Sequence, residues 1–436
     1  MRRYLCIIIS FIVFISTNIT AFSQGEDELG LTGEAAVLIN ADGTEILYEK
    51  NAHQKMYPAS TTKIMTALLT VENCNLDDVV TIDYDPGYID GSSMYVKQGE
   101  TFTVRQLLEF MLVRSANDAA VALANHISGS TDKFKDLMNK RAKELGCKDT
   151  HFNNPNGLPD VDHYTSAYDL ALIAKEAMKH EDFRKTVKLE KVSLPPTELT
   201  PEWRVYRNTN KFLWSNSTID YKGGSVKLKY DVINGIKTGY TNVARNCLVT
   251  SASKDGLNVI SVVLKAEGRN VYIDSRTLID YGLDNYHVEN VIGEDEARGE
   301  KHIFLSNEGS LKYGPQSNFS IVLKNGETLD KSNVRTNTVL HDKLDFPVKK
   351  GTEIGYIEIY KDDSLLSKIK LVALNDVTLK FDYLMLKIVG LKAAKFISLL
   401  LASLFCLCLI IRFINLKKRR KKSRARRRAS YDIDNI

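Results

Sequence analysis

The sequence predicts a multi-domain α+β protein: a first domain of one antiparallel sheet covered by helices, a small all-β domain, and a C-terminal transmembrane helix. Strand-like runs lie at both ends of the first 285 residues, with helical periodicity between them. Short strand-like runs separated by turns follow, and residues 396–411 form an uncharged apolar stretch. Because the chain has 436 residues, it has room for two ordinary domains and these appendages.

The N-terminus has the pattern of a signal peptide, which we assign to residues 1–23. Arg2 and Arg3 supply the charged region, residues 5–15 are apolar apart from Ser10, and Ala21-Phe22-Ser23 offers small residues before a cleavage point. An uncleaved N-terminal anchor is the alternative. With either outcome, we expect the body of the protein to be exported.

The first domain, residues 32–285, opens with a hairpin signal. Residues 34–40 and 44–48 are strand-like and flank Ala41-Asp42-Gly43. Two helices are predicted next: one opened by a capping box at Thr103 and Gln106, and one over 132–145 closed by Gly146. Strands at 247–251 and 258–264 then flank the turn Lys254-Asp255-Gly256, and a further helix is predicted over 271–281. Strands at both ends of a helical region are most simply joined in one antiparallel sheet.

A boundary near residues 284–290 begins the small all-β domain, which we assign to 290–380. Residues 319–323 and 353–359 are strand-like, and Lys324-Asn325-Gly326 and Lys349-Lys350-Gly351 are turn signals. No constellation of residues in this domain suggests chemistry.

The C-terminus predicts a membrane anchor in three parts. Residues 381–395 mix apolar residues with Lys387, Lys392 and Lys395, as in an amphipathic helix on a membrane surface. Residues 396–414 form the transmembrane helix if Arg412 extends toward the interface. Residues 415–436 form a basic tail, which the positive-inside rule places in the cytoplasm. Nucleic-acid binding is the alternative interpretation of the basic run.

Charge and cysteine content exclude some other classes. Setting aside thirteen terminal basic residues and two terminal acidic ones changes the net charge from +5 to about −6, so the body is a poor partner for nucleic acid. The exported body keeps Cys74, Cys147 and Cys247, which are too few and too widely spaced for a disulfide framework. At most one pair is expected, and buried free thiols are the simpler interpretation.

Ser60 and Lys63 form the first candidate chemical motif, Ser60-Thr61-Thr62-Lys63. They precede an apolar helical run and lie three residues apart, so a helix places them on one face. A serine hydroxyl needs a base to become a nucleophile, and a lysine kept neutral by burial or by a second cation can act as that base. Alone this pattern is weak, because it arises by chance roughly once or twice in a chain of this size.

Two further motifs follow in order. Ser115-Ala116-Asn117 lies between two helical runs, where Ser115 can relay a proton and Asn117 can hydrogen-bond a substrate amide; a helix cap is the simpler interpretation of this motif alone. Lys237-Thr238-Gly239 lies in an extended stretch, where a lysine and a hydroxyl suit a carboxylate and the glycine permits close approach. The third motif occurs by chance in only roughly one such chain in ten.

The ordered set resembles the active-site-serine penicillin-binding proteins and β-lactamases. Over residues 32–380 the chain resembles the low-molecular-weight penicillin-binding proteins that act as D-alanyl-D-alanine carboxypeptidases. Further likeness lies in the stretches 91–94, 99–100, 153–158 and 163–169. The chain departs from that family's usual amphipathic anchor, because its C-terminus looks able to span a bilayer.

This resemblance implies roles for individual residues. Ser60 attacks the carbonyl between two D-alanines, and Lys63 accepts its proton. Ser115 and Asn117 form the second side of the cleft. Lys237 and Thr238 hold the terminal carboxylate, and Lys237 helps to keep Lys63 neutral. The backbone N–H groups of Ser60 and of Tyr240, which follows Gly239, form the oxyanion hole.

The resemblance also implies the reaction and its setting. The expected activity is removal of the terminal D-alanine from peptidoglycan stem pentapeptides, with acylation by β-lactam antibiotics. The body is expected on the outer side of the cell membrane, without nucleic acid, metal or cofactor. Arg269 is a possible extra carboxylate contact, although a solvent-facing role is the simpler interpretation.

Several alternatives remain open at this point. A β-lactamase shares the three motifs but, in one class, needs a deacylating glutamate, for which Glu176 and Glu181 are the nearest candidates. A zinc peptidase would use His126, His151 and His163, which lack tight ligand spacing. A non-catalytic β-lactam sensor or wall-binding module would be acylated without turnover. The motifs do not separate carboxypeptidase from endopeptidase or transpeptidase activity.

Overall fold

The computed structural model describes residues 28–43, 45–294, 296–361 and 363–433. The predicted signal peptide, residues 1–23, lies outside the described residues. Two compact units are present. The first runs to Glu289 and includes Ser320–Leu329, and the second comprises Asn290–Phe319 and Asp330–Ile436.

The first unit contains helices on both sides of a sheet. Its helices are α1 (Lys63–Asn73), α2 (Val104–Val113), α3 (Asn117–Ser128), α4 (Thr131–Glu144), α5 (Ala167–Ala177), α6 (Glu181–Val187) and α7 (Asn270–Asn285). Its strands are β1 (Ala35–Asn40), β2 (Ile46–Lys50), β3 (Val79–Thr81), β4 (Thr101–Thr103), β5 (Lys191–Leu194), β6 (Arg204–Arg207), β7 (Thr218–Tyr221), β8 (Gly224–Lys227), β9 (Ile233–Thr241), β10 (Arg245–Lys254) and β11 (Leu257–Ala266).

The main sheet is built from both ends of this unit, as predicted. Its order is β2-β1-β11-β10-β9, and each neighbouring pair is antiparallel. Alternate residues of β1 enter different cores, because successive side chains of a strand point to opposite faces. Val37 and Ile39 pack with α1, α2 and α5, whereas Leu38 packs with α7. The central strands are therefore covered on both faces, and β9 lies at an edge.

Local signals in the sequence agree with this architecture. The predicted capping box opens α2: Thr103 Oγ1 accepts from the Gln106 N–H at 3.1 Å, and the Thr103 N–H donates to Gln106 Oε1 at 2.9 Å. Asp255 and Gly256 join β10 to β11, and both have positive φ, as a two-residue hairpin turn of this type requires. Cys74, Cys147 and Cys247 are free thiols.

The second unit contains an antiparallel sheet with its own core. Its strands are β13 (Gly299–His302), β14 (Ser310–Pro315), β16 (Val334–Leu340), β17 (Glu353–Lys361) and β18 (Ser364–Ala373), in the order β13-β14-β18-β17-β16. Ile354, Ile357, Leu371 and Val377 belong to that core. The structure therefore confirms the prediction that this part of the chain folds as a small all-β domain.

Residues 320–329, which the sequence analysis assigned to the second domain, belong to the first compact unit. Strand β12 (Tyr286–Ile292) pairs with β15 (Phe319–Lys324) in a two-stranded sheet. The Asn325 N–H donates to the Asn285 carbonyl at 2.7 Å, and the Leu329 N–H donates to Glu289 at 3.0 Å. These bonds explain why Ser320–Leu329 belongs to the first unit.

Helix α8 (Phe381–Ile433) is continuous over the three C-terminal segments that the sequence separated. Within it, Ile388–Arg424 is long and apolar enough to cross a membrane. Its large apolar side chains are exposed, among them Phe396, Leu401 and Phe405. Residues 396–414 alone span about 28 Å at 1.5 Å per residue, close to the thickness of a hydrocarbon core.

Candidate active site

A cavity of about 760 Å³ opens in the first unit where three chain segments meet. Six of the eight residues predicted for the site line it: Ser60, Ser115, Asn117, Thr238, Gly239 and Tyr240. The other two, Lys63 and Lys237, are buried behind this lining. The cavity is open along β9, because an edge strand has one unpaired side.

Ser60 lies on a single 3₁₀ turn, Ala59–Thr62, directly before α1. Ala59 has φ of +49°, a left-handed conformation that costs a non-glycine residue about 1–2 kcal/mol. The residues after Ser60 are buried, whereas Ser60 itself is only partly buried. The strained turn thus holds one hydroxyl at the cavity wall and at the positive end of a central helix.

The Lys63 side chain ends between three oxygen atoms. Its Nζ lies 3.0 Å from Ser60 Oγ, 2.7 Å from Asn117 Oδ1 and 2.6 Å from the Asn156 carbonyl oxygen. A neutral amine has two N–H donors and one lone pair. Because the Asn117 and Asn156 oxygens can only accept, they take both hydrogens and leave the lone pair facing Ser60 Oγ.

Electrostatics favour that neutral amine. Burial lowers the pKa of Lys63 well below its ordinary value, the positive charge of Lys237 lowers it further, and the charge of Asp118 acts in the opposite sense. Burial also lowers the pKa of Lys237, to about 7. Lys63 therefore has the protonation state that a base for Ser60 requires.

Ser115 and Asn117 occupy the junction between α2 and α3. Ser115 is buried in a left-handed conformation, with φ of +68°. Besides binding Lys63, Asn117 donates from Nδ2 to the Asp90 carbonyl at 2.5 Å and from its backbone N–H to the Ser92 carbonyl at 2.7 Å. One N–H of the Asn117 amide remains for a ligand, because Nδ2 carries two hydrogens.

Asp118, to which the sequence analysis assigned no role, supports this second side of the cleft. Its buried carboxylate accepts from Ser93 Oγ at 2.6 Å and from the N–H groups of Met94 and Val96 at 3.0 Å. The loop beside Asn117 is thereby fixed from within. The only sequence signal was the position of Asp118 directly after a motif.

Strand β9 carries the third motif, with its residues divided between interior and cavity. Lys237 is 1% exposed, and its Nζ donates to the Thr238 carbonyl at 2.9 Å. Thr238 Oγ1, at the cavity wall, donates to Thr209 Oγ1 at 2.7 Å. Tyr240 is more than half exposed at the rim. Lys237 thus supplies positive charge from behind the strand that presents Thr238.

Gly239 allows β9 to lie directly against the Ser60 turn. A Cβ at this position would stand 3.0 Å from the Pro58 carbonyl oxygen and 3.1 Å from the Ser60 nitrogen, which are both backbone atoms. Gly239 therefore brings strand β9 into direct contact with the backbone of the Ser60 turn.

The segment 153–158 packs against the same turn and was assigned no role from sequence. Besides the Asn156 contact with Lys63, a Cβ on Gly157, whose φ is +85°, would collide with the Ala59 carbonyl oxygen. His163 Nδ1 accepts from the Asn153 N–H at 2.9 Å. Its Nε2 therefore carries the hydrogen and donates to Thr62 Oγ1 at 2.8 Å.

Glu176 and Glu181, the candidates for a deacylating base, form ion pairs away from the cavity. Glu176 pairs with Arg141 at 3.3 Å and with Lys179 at 2.7 Å, and Glu181 pairs with Lys185 at 2.7 Å. Neither glutamate lines the cavity. Although Glu72, Glu176 and His180 approach one another closely enough to hold a metal, the guanidinium of Arg141 lies 2.6 Å from Glu72 and takes that place.

His151, His163 and Arg269, which the sequence analysis considered for other roles, are each hydrogen-bonded within the protein. His163 is engaged by Thr62 and Asn153, and His151 Nδ1 is bonded to the Asp162 carbonyl at 2.5 Å. Arg269 lines the cavity and donates from Nη2 to Ser217 Oγ and to the Thr218 carbonyl, each at 3.1 Å. It is thus at the cleft, although its guanidinium is already partly bonded.

Comparison with known proteins places both domains. A family model described as D-alanyl-D-alanine carboxypeptidase matches residues 21–268, and one described as the C-terminal domain of penicillin-binding protein 5 matches residues 286–379. The chain is 32% identical over 390 residues to D-alanyl-D-alanine carboxypeptidase DacF of Bacillus subtilis, covering 86% of this chain and 95% of the relative. It is 29% identical over 397 residues to D-alanyl-D-alanine carboxypeptidase DacD of Escherichia coli, covering 86% and 96%.

Solved structures agree with these relatives. Penicillin-binding protein 5 from Haemophilus influenzae matches with 27% identity and a TM-score of 0.56, covering 80% of this chain and 98% of that one. A mutant of the Streptomyces K15 DD-transpeptidase matches with 30% identity and a TM-score of 0.53, covering 58% and 98%. Since the first family model spans more than half of the sequence and the relatives match over nearly their whole length, this chain belongs to the D-alanyl-D-alanine carboxypeptidase family.

Proposed function

We propose that the protein is a serine D-alanyl-D-alanine carboxypeptidase that trims the terminal D-alanine from peptidoglycan stem pentapeptides through an acyl-enzyme on Ser60. The observation that carries this proposal is the contact between Lys63 Nζ and Ser60 Oγ. Two carbonyl-type oxygens hold both hydrogens of the neutral amine, so its lone pair is directed at the hydroxyl.

Acylation begins when Ser60 Oγ attacks the carbonyl carbon between the two D-alanines. Lys63 takes the hydroxyl proton, and the Ser60 and Tyr240 N–H groups stabilise the negative oxygen of the tetrahedral intermediate. As the C–N bond breaks, the electron pair goes to the leaving amine, which receives the proton from Lys63 through Ser115. The products of this step are free D-alanine and an ester on Ser60.

Thr238 and Lys237 hold the substrate before that step. Thr238 offers a hydroxyl at the cavity wall, and the buried charge of Lys237 lies behind the same strand. A terminal carboxylate bound there directs the preceding peptide bond toward Ser60. Asn117 donates its remaining amide N–H to the substrate backbone.

Deacylation completes the reaction. Lys63, neutral again, takes a proton from water as the water attacks the ester carbonyl, and the Ser60 hydroxyl is restored when the C–O bond breaks. An amine acceptor in place of water would give transpeptidation, the activity in the name of the K15 relative. The family membership and the second, all-β domain favour hydrolysis. β-Lactams follow the acylation path and leave an ester on Ser60.

We further propose that the protein is anchored in the cell membrane with both folded units outside. Support comes from the exposed apolar side chains of α8, since each buried CH₂ gains about 0.8 kcal/mol on leaving water. The basic run over residues 417–428 follows the apolar stretch, which places it on the cytoplasmic side. A signal peptide at residues 1–23, as the sequence predicts, would supply the export that this topology needs.

The test uses purified protein and a stem pentapeptide. We expect release of free D-alanine that disappears in Ser60→Ala. Labelling by a fluorescent penicillin without D-alanine release would contradict the proposal in favour of a non-catalytic sensor. Rapid hydrolysis of penicillin would instead indicate a β-lactamase.

A further inference from the structure

A second cavity, of about 580 Å³, lies in the first unit and shares no lining residue with the candidate active site. Strands β10 and β11 pass beneath it at Ala252, Val259 and Ile260. Of these, Ile260 faces the α5 and α6 side, whereas Ala252 and Val259 direct their side chains into the core with α7. The wall of the cavity comes from the end of α5, from α6 and from the residue after α6. The basic side chains in this wall are Lys175, Lys179, Arg184, Lys185 and Lys188.

The charge in this second cavity is unbalanced. Asp42 is its only acidic lining residue, against five basic ones. Lys179 and Lys185 are each neutralised by a glutamate at 2.7 Å. Over the described part of the chain, the other three basic side chains make no ion pair. Arg184 donates to the carbonyls of Met178 and Lys179, Lys175 donates to the Gly43 carbonyl, and the Lys188 ammonium group makes no hydrogen bond to any residue that the structure describes.

Lys175 is the basic side chain of this cavity that burial affects. Its side chain is half-buried, and burial lowers its pKa, as does the neighbouring charge of Lys179, whereas the charges of Glu45, Asp42 and Glu176 act in the opposite sense. An anion in the cavity would restore the favourable state of this ammonium group. The site is therefore arranged for a negatively charged occupant.

Ser251 provides an independent indication of a ligand. It lies on β10, lines the second cavity and is only 4% exposed. Among the described residues, its Oγ has no hydrogen-bond partner. A buried hydroxyl without a partner costs about 1–3 kcal/mol, and a ligand oxygen would remove that cost.

We propose that this cavity binds a phosphate ester. A phosphate group carries up to two negative charges and three free acceptor oxygens, which match Lys175, Lys188 and Ser251. The apolar side chains of Ile260 and Met178, which also line the cavity, then contact the esterified carbon group. The volume is in the usual range of about 300–1,000 Å³ for small-molecule sites.

The test measures binding by calorimetry with the full-length protein in a nonionic detergent. Three probes distinguish the sources of the group: inorganic phosphate, glycerol 3-phosphate and dihexanoyl phosphatidylglycerol. We expect an ester to bind more tightly than inorganic phosphate. Tighter binding of glycerol 3-phosphate would identify a soluble ester, and tighter binding of the lipid would identify a headgroup. Either result supports the site.

Variants assign the binding to this cavity. Lys188→Glu and Ser251→Ala should each weaken ester binding by about tenfold, the equivalent of one lost charge-assisted hydrogen bond. Lys143→Glu, an equal charge change on exposed α4, should bind as the parent does. Ser251→Ala removes an unpartnered hydroxyl and should fold normally, and unchanged penicillin labelling of Ser60 checks each variant. Absence of ester binding, equal binding of acetate, or binding unaffected by both cavity variants would overturn the proposal.

Discussion

Lys63 connects three parts of the site through one amine. Its contacts join the Ser60 turn, the α2–α3 junction and the segment 153–158. The amine therefore has both a chemical and an organising role. Two residue-scale predictions separate these roles.

Replacing Lys63 by methionine removes the base but keeps an unbranched side chain of similar volume. We expect the rate of penicillin acylation to fall by about 10²–10⁴-fold, the usual contribution of a positioned general base. Time-resolved labelling with a fluorescent penicillin measures this rate. Lys143→Met is the matched control, and a Lys63→Met variant that labels at the parent rate would contradict the assigned role.

His163 should make the stability of the first unit depend on pH. Burial lowers the pKa of His163 from 6.5 to about 4 in the folded protein. Between those values the unfolded chain binds a proton that the folded chain does not, so stability is full above pH 6.5 and is lost as the pH falls toward about 4. The expected loss is about 3 kcal/mol at 1.36 kcal/mol per pH unit.

Urea unfolding of the parent and of His163→Gln at pH 7 and pH 4.5 measures this dependence. Glutamine keeps a hydrogen-bonding side chain but does not titrate. We expect a smaller loss of stability in the variant at the lower pH. Equal losses in both proteins would show that the imidazole does not contribute.

At the scale of elements, two supports hold the Ser60 turn in place: strand β9 at Gly239 and the segment 153–158 at Gly157. A Cβ on Gly157 would overlap the Ala59 carbonyl oxygen, and a Cβ on Gly239 would stand 3.0 Å from the nearest backbone atom, which is tighter than most Cβ contacts. The position of the nucleophile thus depends on packing between segments distant in sequence, since Lys63 and Asn156 are separated by 93 positions in the chain.

Gly157→Ala tests this packing. The new methyl group collides with the Ala59 carbonyl, and the positive φ adds about 1–2 kcal/mol of strain. We expect penicillin acylation to slow by about 10²-fold, as for a misplacement of about 1 Å. Gly129→Ala is the control, because its φ is also positive but no atom lies within 4 Å of the added Cβ. Equal acylation rates in the two variants would contradict the account.

The sequence predicted best those elements whose structure depends on residues close together in the chain. The capping box at Thr103 and the Asp255-Gly256 turn depend on residues a few positions apart, and the sheet follows from its apolar strands. The motif residues were recognisable because their order is rare by chance. The supporting contacts of Asp118, Asn156 and His163 were not predicted, because their partners are defined only by the fold. The continuity of α8 was also missed, since charged residues interrupt its apolar pattern without ending the helix.

At the scale of the whole molecule, the candidate active site and the proposed membrane anchor lie in separate parts of the chain. The candidate active site is formed within the first unit, whereas α8 belongs to the second. Truncation after Lys380 should therefore release the protein from membranes without reducing penicillin labelling. Fractionation of cells expressing the two forms tests this, and loss of labelling in the truncated form would contradict the separation.

The central claim is that Ser60 carries the acyl group. Peptide mapping by mass spectrometry after incubation with benzylpenicillin tests it most directly. We predict one penicilloyl adduct, on the peptide that contains Ser60, and no adduct in Ser60→Ala. An adduct on another residue, or one that persists in Ser60→Ala, would contradict the account.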